Sequence, residues 1–297
     1  MLDYHLHLWP HNHTETPLSL DQLAAYCDKA QAAGVVEVAV TEHLFRFVQA
    51  AELLGPFWEE DETSLVLQSS MADYWDHHAR ADLDAYVDCA LEAQAAGLPI
   101  VVGLEVDHYR GRMDKVGELL DGYPFDVLLG SVHWVGAWRF DDLGDEISMA
   151  EWSVRDIDRC WDEYTEAIEE LAASGACDVL AHPDLVKAAG HRPAAPDEWW
   201  DRLAEAAASS GMAAEVSSAG WRKPADEAYP AKPLLDRFVA RGVPLTTASD
   251  AHHLELVADR SAELRAMLGA AGVGELRAYR ARRPHPVPVG QPLAAQD

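Results

Sequence analysis

The chain has 297 residues, a hydrophobic fraction of 49% and ten tryptophans, which is ample for a folded core and argues against global disorder. Its 51 acidic and 23 basic side chains leave a net charge of −28, a field that repels long nucleic acids. No apolar run reaches 18 residues, so no membrane span is predicted. The N-terminus shows no secretory leader, and Cys27, Cys89, Cys160 and Cys177 are widely spaced. We therefore expect a cytoplasmic protein with buried free thiols.

Short apolar runs alternate with helical patterns, which is typical of βα units and a parallel sheet. Ser19 to Gln22 form a capping box that begins a helix, and Gly34 ends that helix. The other predicted helices cover residues 81–96, 153–174, 198–210, 231–241 and 256–268. Seven runs are predicted strands, at residues 2–8, 35–40, 100–106, 127–130, 178–181, 213–216 and 244–248. Seven strands with interleaved helices predict a barrel of the (β/α) type.

Two regions depart from this alternation. Residues 55–80 form a long insertion that contains Trp58 and Trp75, which we interpret as a lid over one mouth of the barrel. The stretch 276–297 is rich in Pro, Arg and Ala and is predicted to be a loosely attached tail. Because no repeat and no second domain boundary is found, residues 1–275 are predicted to form one catalytic domain.

Histidines and carboxylates fall where the predicted strands end. His5 and His7 are two apart in a strand, so their side chains point to the same side. The remaining candidates follow the other strands, and the carboxyl ends of barrel strands form the rim where active sites are built. The candidate ligands are His5, His7, His13, His43, Glu105, His133, His182, Asp250 and His252.

Taken singly, these residues have ordinary explanations. A lone histidine such as His43 is more often structural, and Glu105 or Asp250 could cap a helix or form an ion pair. Together, so many buried polar groups at one rim would be costly without compensation. Metal ions supply that compensation, and histidine with carboxylate suits Zn, Mn or Fe. The sequence therefore predicts a metal centre.

At these residues the chain resembles the polymerase-and-histidinol-phosphatase (PHP) family of metal-dependent phosphoesterases. The resemblance covers residues 3–270 and implies an α/β fold, a distorted seven-stranded (β/α) barrel. Its motifs, in order, are His5-x-His7, Glu42-His43, Gly-Leu-Glu105, Ser-Val-His133, Ala-His182-Pro and Ser-Asp250-Ala-His252.

Within that family the chain is most similar to the histidinol-phosphatase subgroup. The likeness lies in segments 82–86, 103–107, 129–133, 182–187 and 218–224. One position departs from the subgroup, which often has a small or aliphatic residue where Trp221 stands.

The resemblance implies a centre of two to three divalent transition-metal ions. His5, His7, Glu105 and Asp250 would hold the first, and Glu105 would bridge to a second on His133 and His182. The third would take His13, His43 and His252.

The expected reaction is hydrolysis of L-histidinol phosphate by a metal-activated water, in line at phosphorus. The candidate catalytic residues are Glu105, Asp250 and His253, of which His253 is a candidate proton donor to the leaving oxygen. Glu42 is predicted to orient the ligand beside it. Four cations on the same loops are candidate phosphate ligands, namely Arg222, Lys187, Arg139 and Arg46. Four further histidines match no motif and are predicted to be surface or lid residues, namely His77, His78, His108 and His191.

Three other functions stay open at this point. The substrate could be another small phosphate ester or a nucleotide, although the acidic surface disfavours long nucleic acid. An amidohydrolase uses the same metal-activated water on a C–N bond. A binding module without catalysis would be expected to have lost ligands, and all nine are present. The expected partner is thus a small phosphorylated molecule, and the sequence leaves the oligomeric state open.

Overall fold

The computed structural model describes residues 1–11, 18–60 and 64–290. Seven parallel strands form its centre, paired in the order in which they follow one another along the chain. The strands are β1 (Leu2–Leu6), β2 (Glu37–Val40), β3 (Ile100–Asp107), β4 (Val127–Ser131), β5 (Val179–Leu180), β6 (Ala213–Ser217) and β7 (Leu245–Ala248).

The strands are buried almost throughout, because helices cover the outer face and side chains fill the inner one. Parallel strands buried on both faces are continuous apolar runs in sequence, and all seven predicted runs are confirmed as strands. Several are shorter than predicted at their ends, and β5 has only two residues.

Ten helices are described: α1 (Leu20–Ala32), α2 (Val48–Leu54), α3 (Leu65–His78), α4 (Leu83–Ala95), α5 (Met113–Leu120), α6 (Glu146–Glu151), α7 (Ile157–Ser174), α8 (Asp197–Ser210), α9 (Lys232–Ala240) and α10 (Ser261–Ala270). The Ser19 cap is confirmed, since its side chain accepts a hydrogen bond from the Gln22 N–H. The helix predicted at 153–174 begins at Ile157, because Asp156 caps it by accepting from the Arg159 N–H. The helix predicted at 256–268 begins at Ser261, after a 3-10 turn.

The barrel closes where β1 meets β7, a contact that we call the seam. Side chains supply most of its hydrogen bonds: the Thr247 hydroxyl donates to the Leu2 carbonyl at 2.7 Å and accepts from the Leu2 N–H. The buried carboxylate of Asp3 accepts from the Ser249 N–H, the Ser249 hydroxyl and the Ala258 N–H, at 2.7–2.8 Å. Beyond the strands, the His7 N–H donates to the Ala251 carbonyl at 2.8 Å. The segment after β7 is thereby fixed against β1.

Residues 291–297 of the predicted tail lie outside the described residues, and for residues 276–288 the prediction of loose attachment is wrong. The latter residues belong to an antiparallel hairpin of β8 (Glu275–Arg280) and β9 (Arg283–Pro288), which covers the end of the barrel opposite the predicted site. Leu276, Ala278 and Tyr279 of β8 are buried. Arg282 at the turn pairs with Asp178, just before β5, with N–O distances of 3.0–3.2 Å. The arginines of this stretch satisfy carboxylates at the barrel floor, which its composition alone does not reveal.

The insertion at 55–80 contains a 3-10 turn and α3, and its aromatic side chains pack beside β2 and β4. Phe45, which follows β2, lies 5.3 Å from Tyr74 and 5.8 Å from Trp134, measured between ring centroids. Residues 61–63 of this insertion lie outside the described residues. Among the helices that are described, none is both long and apolar enough to cross a membrane. The four cysteines are free thiols, three of them buried.

Candidate metal centre

Five imidazoles converge on one buried carboxylate, that of Glu105 near the end of β3. The two oxygens of Glu105 share these neighbours, so that each faces at least two rings. The oxygen–nitrogen distances are 3.2 Å to His5 Nε2, 3.5 Å to His7 Nε2, 2.7 Å to His43 Nδ1, 3.4 Å to His133 Nε2 and 2.9 Å to His182 Nε2. The rim predicted from the strand ends is therefore a single cluster.

Asp250 extends the cluster from the loop after β7. Its Oδ1 lies 3.5 Å from His7 Nε2 and 3.4 Å from His252 Nε2. The rings of His7 and His252 stack with centroids 4.0 Å apart. Asp250 has a backbone φ of +51° and His182 one of +24°, values that ordinary side chains rarely adopt. Backbone strain of this kind concentrates at functional sites, where the surrounding structure enforces it.

The residues present fit a cluster of metal ions. Among the described residues, His5 Nε2, both ring nitrogens of His7, His43 Nδ1 and Glu105 Oε2 are buried without a hydrogen-bond partner. Buried polar atoms without partners are costly, and ligation by cations satisfies them. Three of the candidate triads, each with ligand atoms within 4.8 Å of one another, are His5–His7–Asp250, His5–Glu105–His182 and His7–His43–His252. His13 lies outside the described residues.

Burial and mutual charge set the ionisation of the cluster. Burial opposes the ionisation of Glu105 and Asp250, but the neighbouring imidazoles, His5 first, hold both pKa values well below the ordinary range. Burial lowers the pKa of His252 to about 4, and the charge of His7 adds to this effect. Burial alone would also lower the pKa of His133, but Glu105 and Asp107 raise it to about 10. Both carboxylates are thus anionic at neutral pH, which is the form that binds cations.

Comparison with known proteins assigns the family. The profile of the PHP domain family matches residues 5–219, well over half of the chain. The chain belongs to the PHP domain family. A curated relative from Deinococcus radiodurans, named "probable histidinol-phosphatase", is 37% identical over 164 residues, or 55% of this chain. The match spans 62% of that relative, which is less than two thirds of its length.

A solved PHP-type structure shares the fold. It is histidinol phosphate phosphatase from Lactococcus lactis, determined in complex with zinc, L-histidinol and phosphate. The two chains are 20% identical, with a TM-score of 0.68 over 96% of this chain and 98% of the other. The distorted seven-stranded (β/α) barrel that the sequence resemblance implies is confirmed.

Three buried carboxylates face the Nδ1 atoms of imidazoles in this PHP site, on the side of each ring away from Glu105. Glu215 on β6 contacts His5 Nδ1 at 2.8 Å, and Asp107 at the end of β3 contacts His133 Nδ1 at 2.5 Å. Glu42 faces His7 Nδ1 at 3.6 Å and accepts from the backbone N–H groups of residues 8 and 9. Glu42 is therefore directed at His7, not at the adjacent His43 as predicted. The sequence analysis missed Glu215, because a lone acid in an apolar strand carries no motif.

All four predicted phosphate ligands have donor groups bound to other groups of the protein. Lys187 is buried, and its three ammonium hydrogens meet Asp184, Glu227 and the carbonyl of residue 228 at 2.7–2.9 Å. Arg139 binds Asp142, Asp145 and the backbone and hydroxyl of residue 70. Arg46 lies beside Glu42 and donates to the carbonyl of residue 10. These contacts occupy donor groups and hold loops in place. They therefore do not support phosphate binding by Lys187, Arg139 or Arg46.

Arg222 lies at the rim, after β6. One guanidinium nitrogen donates to the backbone carbonyls of Ser249 and Asp250 at 2.7 and 3.0 Å, and another pairs with Asp259 at 2.8 Å. Arg222 is therefore hydrogen-bonded to the loop that carries Asp250. His253 is exposed and, with His252, lines a pocket of about 280 Å³. His11, which the sequence does not predict as a site residue, has its ring centroid 3.5 Å from that of His252.

The four histidines without a motif have different environments. His77 is exposed on α3, and its neighbour His78 is buried against Phe45 and Tyr74. His108 is also buried and pairs with Glu170 at 3.1 Å, so the prediction of a surface or lid position is wrong for it. His191 stacks on Trp152 with centroids 4.7 Å apart.

Proposed function

We propose that this PHP protein is a metal-dependent phosphatase that hydrolyses L-histidinol phosphate to L-histidinol and phosphate. The convergence of five imidazoles and Asp250 around Glu105 carries the proposal, because hydrolysis by a multi-metal site needs such ligands on one rim. The choice of substrate is supported by the name of the Deinococcus relative and by the L-histidinol and phosphate in the Lactococcus structure.

The centre would hold two to three ions of zinc, iron or manganese. When bound, such ions supply a nucleophilic water at neutral pH and neutralise negative charge on the phosphoryl group. The first ion would be held by His5, His7, Glu105 and Asp250, the second by Glu105, His133 and His182, and the third by His43, His252 and His13.

The chain's own residues would prepare the site in three ways. Glu105 and Asp250 bring two negative charges into a buried environment, where cations bind more strongly than at the surface. His253, an exposed residue next to the proposed ligand His252, would give a proton to the leaving oxygen. Arg222 is the predicted phosphate ligand that remains at the rim, although its present bonds are to backbone and to Asp259.

We propose that residues 1–275 act as one catalytic unit and that the insertion at 55–80 is a lid. Its helix α3 packs on Phe45, whose ring centroid lies 4.6 Å from that of the ligand His43. The expected partner is a small phosphorylated molecule in the cytoplasm and not a nucleic acid, since the net charge is −28.

A substrate panel tests the proposal. The purified protein, loaded in turn with zinc, manganese and iron, is assayed for product release from four kinds of compound. These are L-histidinol phosphate, other phosphate monoesters, a phosphodiester and an amide. We expect the highest kcat/KM with L-histidinol phosphate, and Glu105→Gln prepared in parallel controls for contaminating phosphatase. Preference for the diester or the amide would overturn the assignment, and inactivity on all four with metal bound would favour a binding role.

A further inference from the structure

One buried carboxylate contacts two ligand-bearing segments of the barrel at once. Glu215 lies on β6 and is fully buried. Its Oε2 lies 2.8 Å from His5 Nδ1, on the first strand, and its Oε1 accepts a hydrogen bond from the backbone N–H of His182 at 3.3 Å. The two oxygens therefore reach across the barrel interior to different elements.

These contacts orient the ring of His5 and hold the backbone of His182. When the His5 Nδ1–H donates to Glu215, the lone pair of Nε2 is left pointing at Glu105 Oε2, 3.2 Å away. The hydrogen bond to the N–H of His182 holds a residue with a φ of +24°, whose Nε2 lies 2.9 Å from Glu105 Oε1. One side chain thus contacts the ring of His5 and the backbone of His182, two residues whose Nε2 atoms face the two oxygens of Glu105.

A role limited to packing does not account for this glutamate. Among the described residues, no lysine or arginine lies within ion-pairing distance of Glu215, and His5 is its partner. A buried carboxylate is costly unless its charge is compensated, and an apolar residue would fill the same space without that cost. The benefit must therefore lie in what Glu215 does to its two neighbours.

We propose that Glu215 is a positioning residue that prepares His5 and His182 together for metal binding. The inference rests on the metal centre of the proposed function and is independent of the substrate. Carboxylates that orient ligand histidines typically change metal affinity by about ten- to a hundredfold when they are replaced.

The test is Glu215→Gln, which keeps the shape but has one acceptor oxygen instead of two. It cannot accept from both the His5 ring and the His182 N–H. We expect its metal affinity, measured by competition with a chelator for zinc, to fall about ten- to a hundredfold. Activity should return as free zinc is raised, which a purely structural defect would not show. Asp178→Asn is the matched control, a largely buried carboxylate at the opposite end of the barrel, and should keep wild-type zinc affinity.

The outcomes separate this inference from the proposed function. If wild type itself binds no metal, the proposed function fails. If wild type binds zinc and a folded Glu215→Gln binds it equally well, the positioning role is wrong. Should the glutamine variant not fold, Glu215→Asp, which keeps the charge but is shorter, is measured instead and must also bind zinc more weakly. Glu215 is a folding residue, and the proposal is rejected, if neither variant folds.

Discussion

At the residue scale, Glu105 is the group on which we propose that the centre depends, because five imidazoles face its two oxygens. Glu105→Gln replaces an anion with a neutral amide, which cannot hold two cations together. We expect kcat/KM to fall by much more than tenfold, together with metal content measured by elemental analysis. Glu37→Gln, at the far end of the barrel, controls for loss of a carboxylate. Retention of more than about a tenth of the rate, a loss of about 1.4 kcal/mol, would contradict the bridging role.

Substitution of Arg222 distinguishes two roles for this residue, that of a phosphate ligand and that of an anchor for the loop that carries Asp250. The sequence predicts that Arg222→Ala lowers kcat/KM and leaves metal content unchanged. The bonds to the carbonyls of Ser249 and Asp250 instead support an anchor for a metal ligand. We therefore expect Arg222→Ala to lower zinc affinity as well as rate, and Arg222→Lys to recover only part, since lysine lacks the planar fork.

The control for this experiment is Arg260→Ala, in which the removed guanidinium lies over the Trp221 ring and not on the Asp250 loop carbonyls. Unchanged zinc affinity in Arg222→Ala, combined with a rise in KM, would restore the role of phosphate ligand.

His78 should make the folded protein sensitive to acid. Burial, assisted by the charge of Arg46, lowers its pKa from 6.5 to about 3. Because the unfolded chain takes up the proton first, the free energy of unfolding falls as pH drops below about 6.5. The loss reaches about 2 kcal/mol at pH 5.

The measurement is chemical unfolding of the metal-free protein at pH 7.5 and pH 5.0. The difference in free energy of unfolding between His78→Leu and wild type should shift in favour of His78→Leu by about 2 kcal/mol when the pH is lowered from 7.5 to 5.0. The same change at the exposed His77 should have little effect. If the free energy of unfolding changed equally with pH in wild type and His78→Leu, His78 would take up its proton at the same pH in the folded and unfolded chain. The prediction would then be wrong.

At the scale of elements, the sequence predicts the strands well and the attachment of the chain's last elements poorly. The runs that form β3 and β4 are mostly apolar, and a predicted ligand lies within or just after each of them, Glu105 in β3 and His133 after β4. Both the strands and the site could therefore be predicted from these runs. The contacts of Arg282 with Asp178 and of Glu215 with His5 join residues more than 100 positions apart. Such pairings depend on which elements become neighbours, and no local pattern encodes them.

The same dependence on neighbouring elements explains why the sequence does not predict the partners of the basic side chains. Residue type and loop position indicate that Lys187 or Arg139 could bind phosphate. Both instead meet carboxylates, and for Lys187 one of these is 40 positions further along the chain. In a chain with 51 acidic residues, a buried cation is more often already paired than free.

The hairpin of β8 and β9 is expected to stabilise the barrel from its floor. Arg282→Ala removes a charge-assisted contact with Asp178 and a hydrogen bond to the carbonyl of residue 176. We expect the free energy of unfolding to fall by about 1.5–3 kcal/mol, measured in denaturant, with no change in zinc affinity. Arg283→Ala, at an exposed position one residue later, serves as control. Equal stabilities of the two variants would show that the hairpin does not contribute through Arg282.

At the scale of the whole molecule, the proposed metal centre spans the seam. His5 and His7 lie on one side of it, and Asp250 and His252 on the other. Removal of metal by a chelator should therefore lower the melting temperature. Saturation at a hundred times Kd contributes about 2.7 kcal/mol, which for a chain of this size is several degrees.

Amide hydrogen exchange locates the effect. Chelation should speed exchange in β1 and in residues 245–258 more than in β3 and β4, where backbone ladders hold the sheet. Uniform acceleration, or none, would mean that the seam is stable without metal.

The seam also has a consequence for biosynthesis. Its two sides are separated by some 240 residues of chain, since the His7 N–H meets the Ala251 carbonyl. A ribosome delivers the N-terminal side first, so His5 and His7 are exposed on a nascent chain long before their counterparts exist. The full set of candidate ligands can come together only after translation has passed His252, so a complete metal centre would form late in synthesis, once both sides of the seam are present.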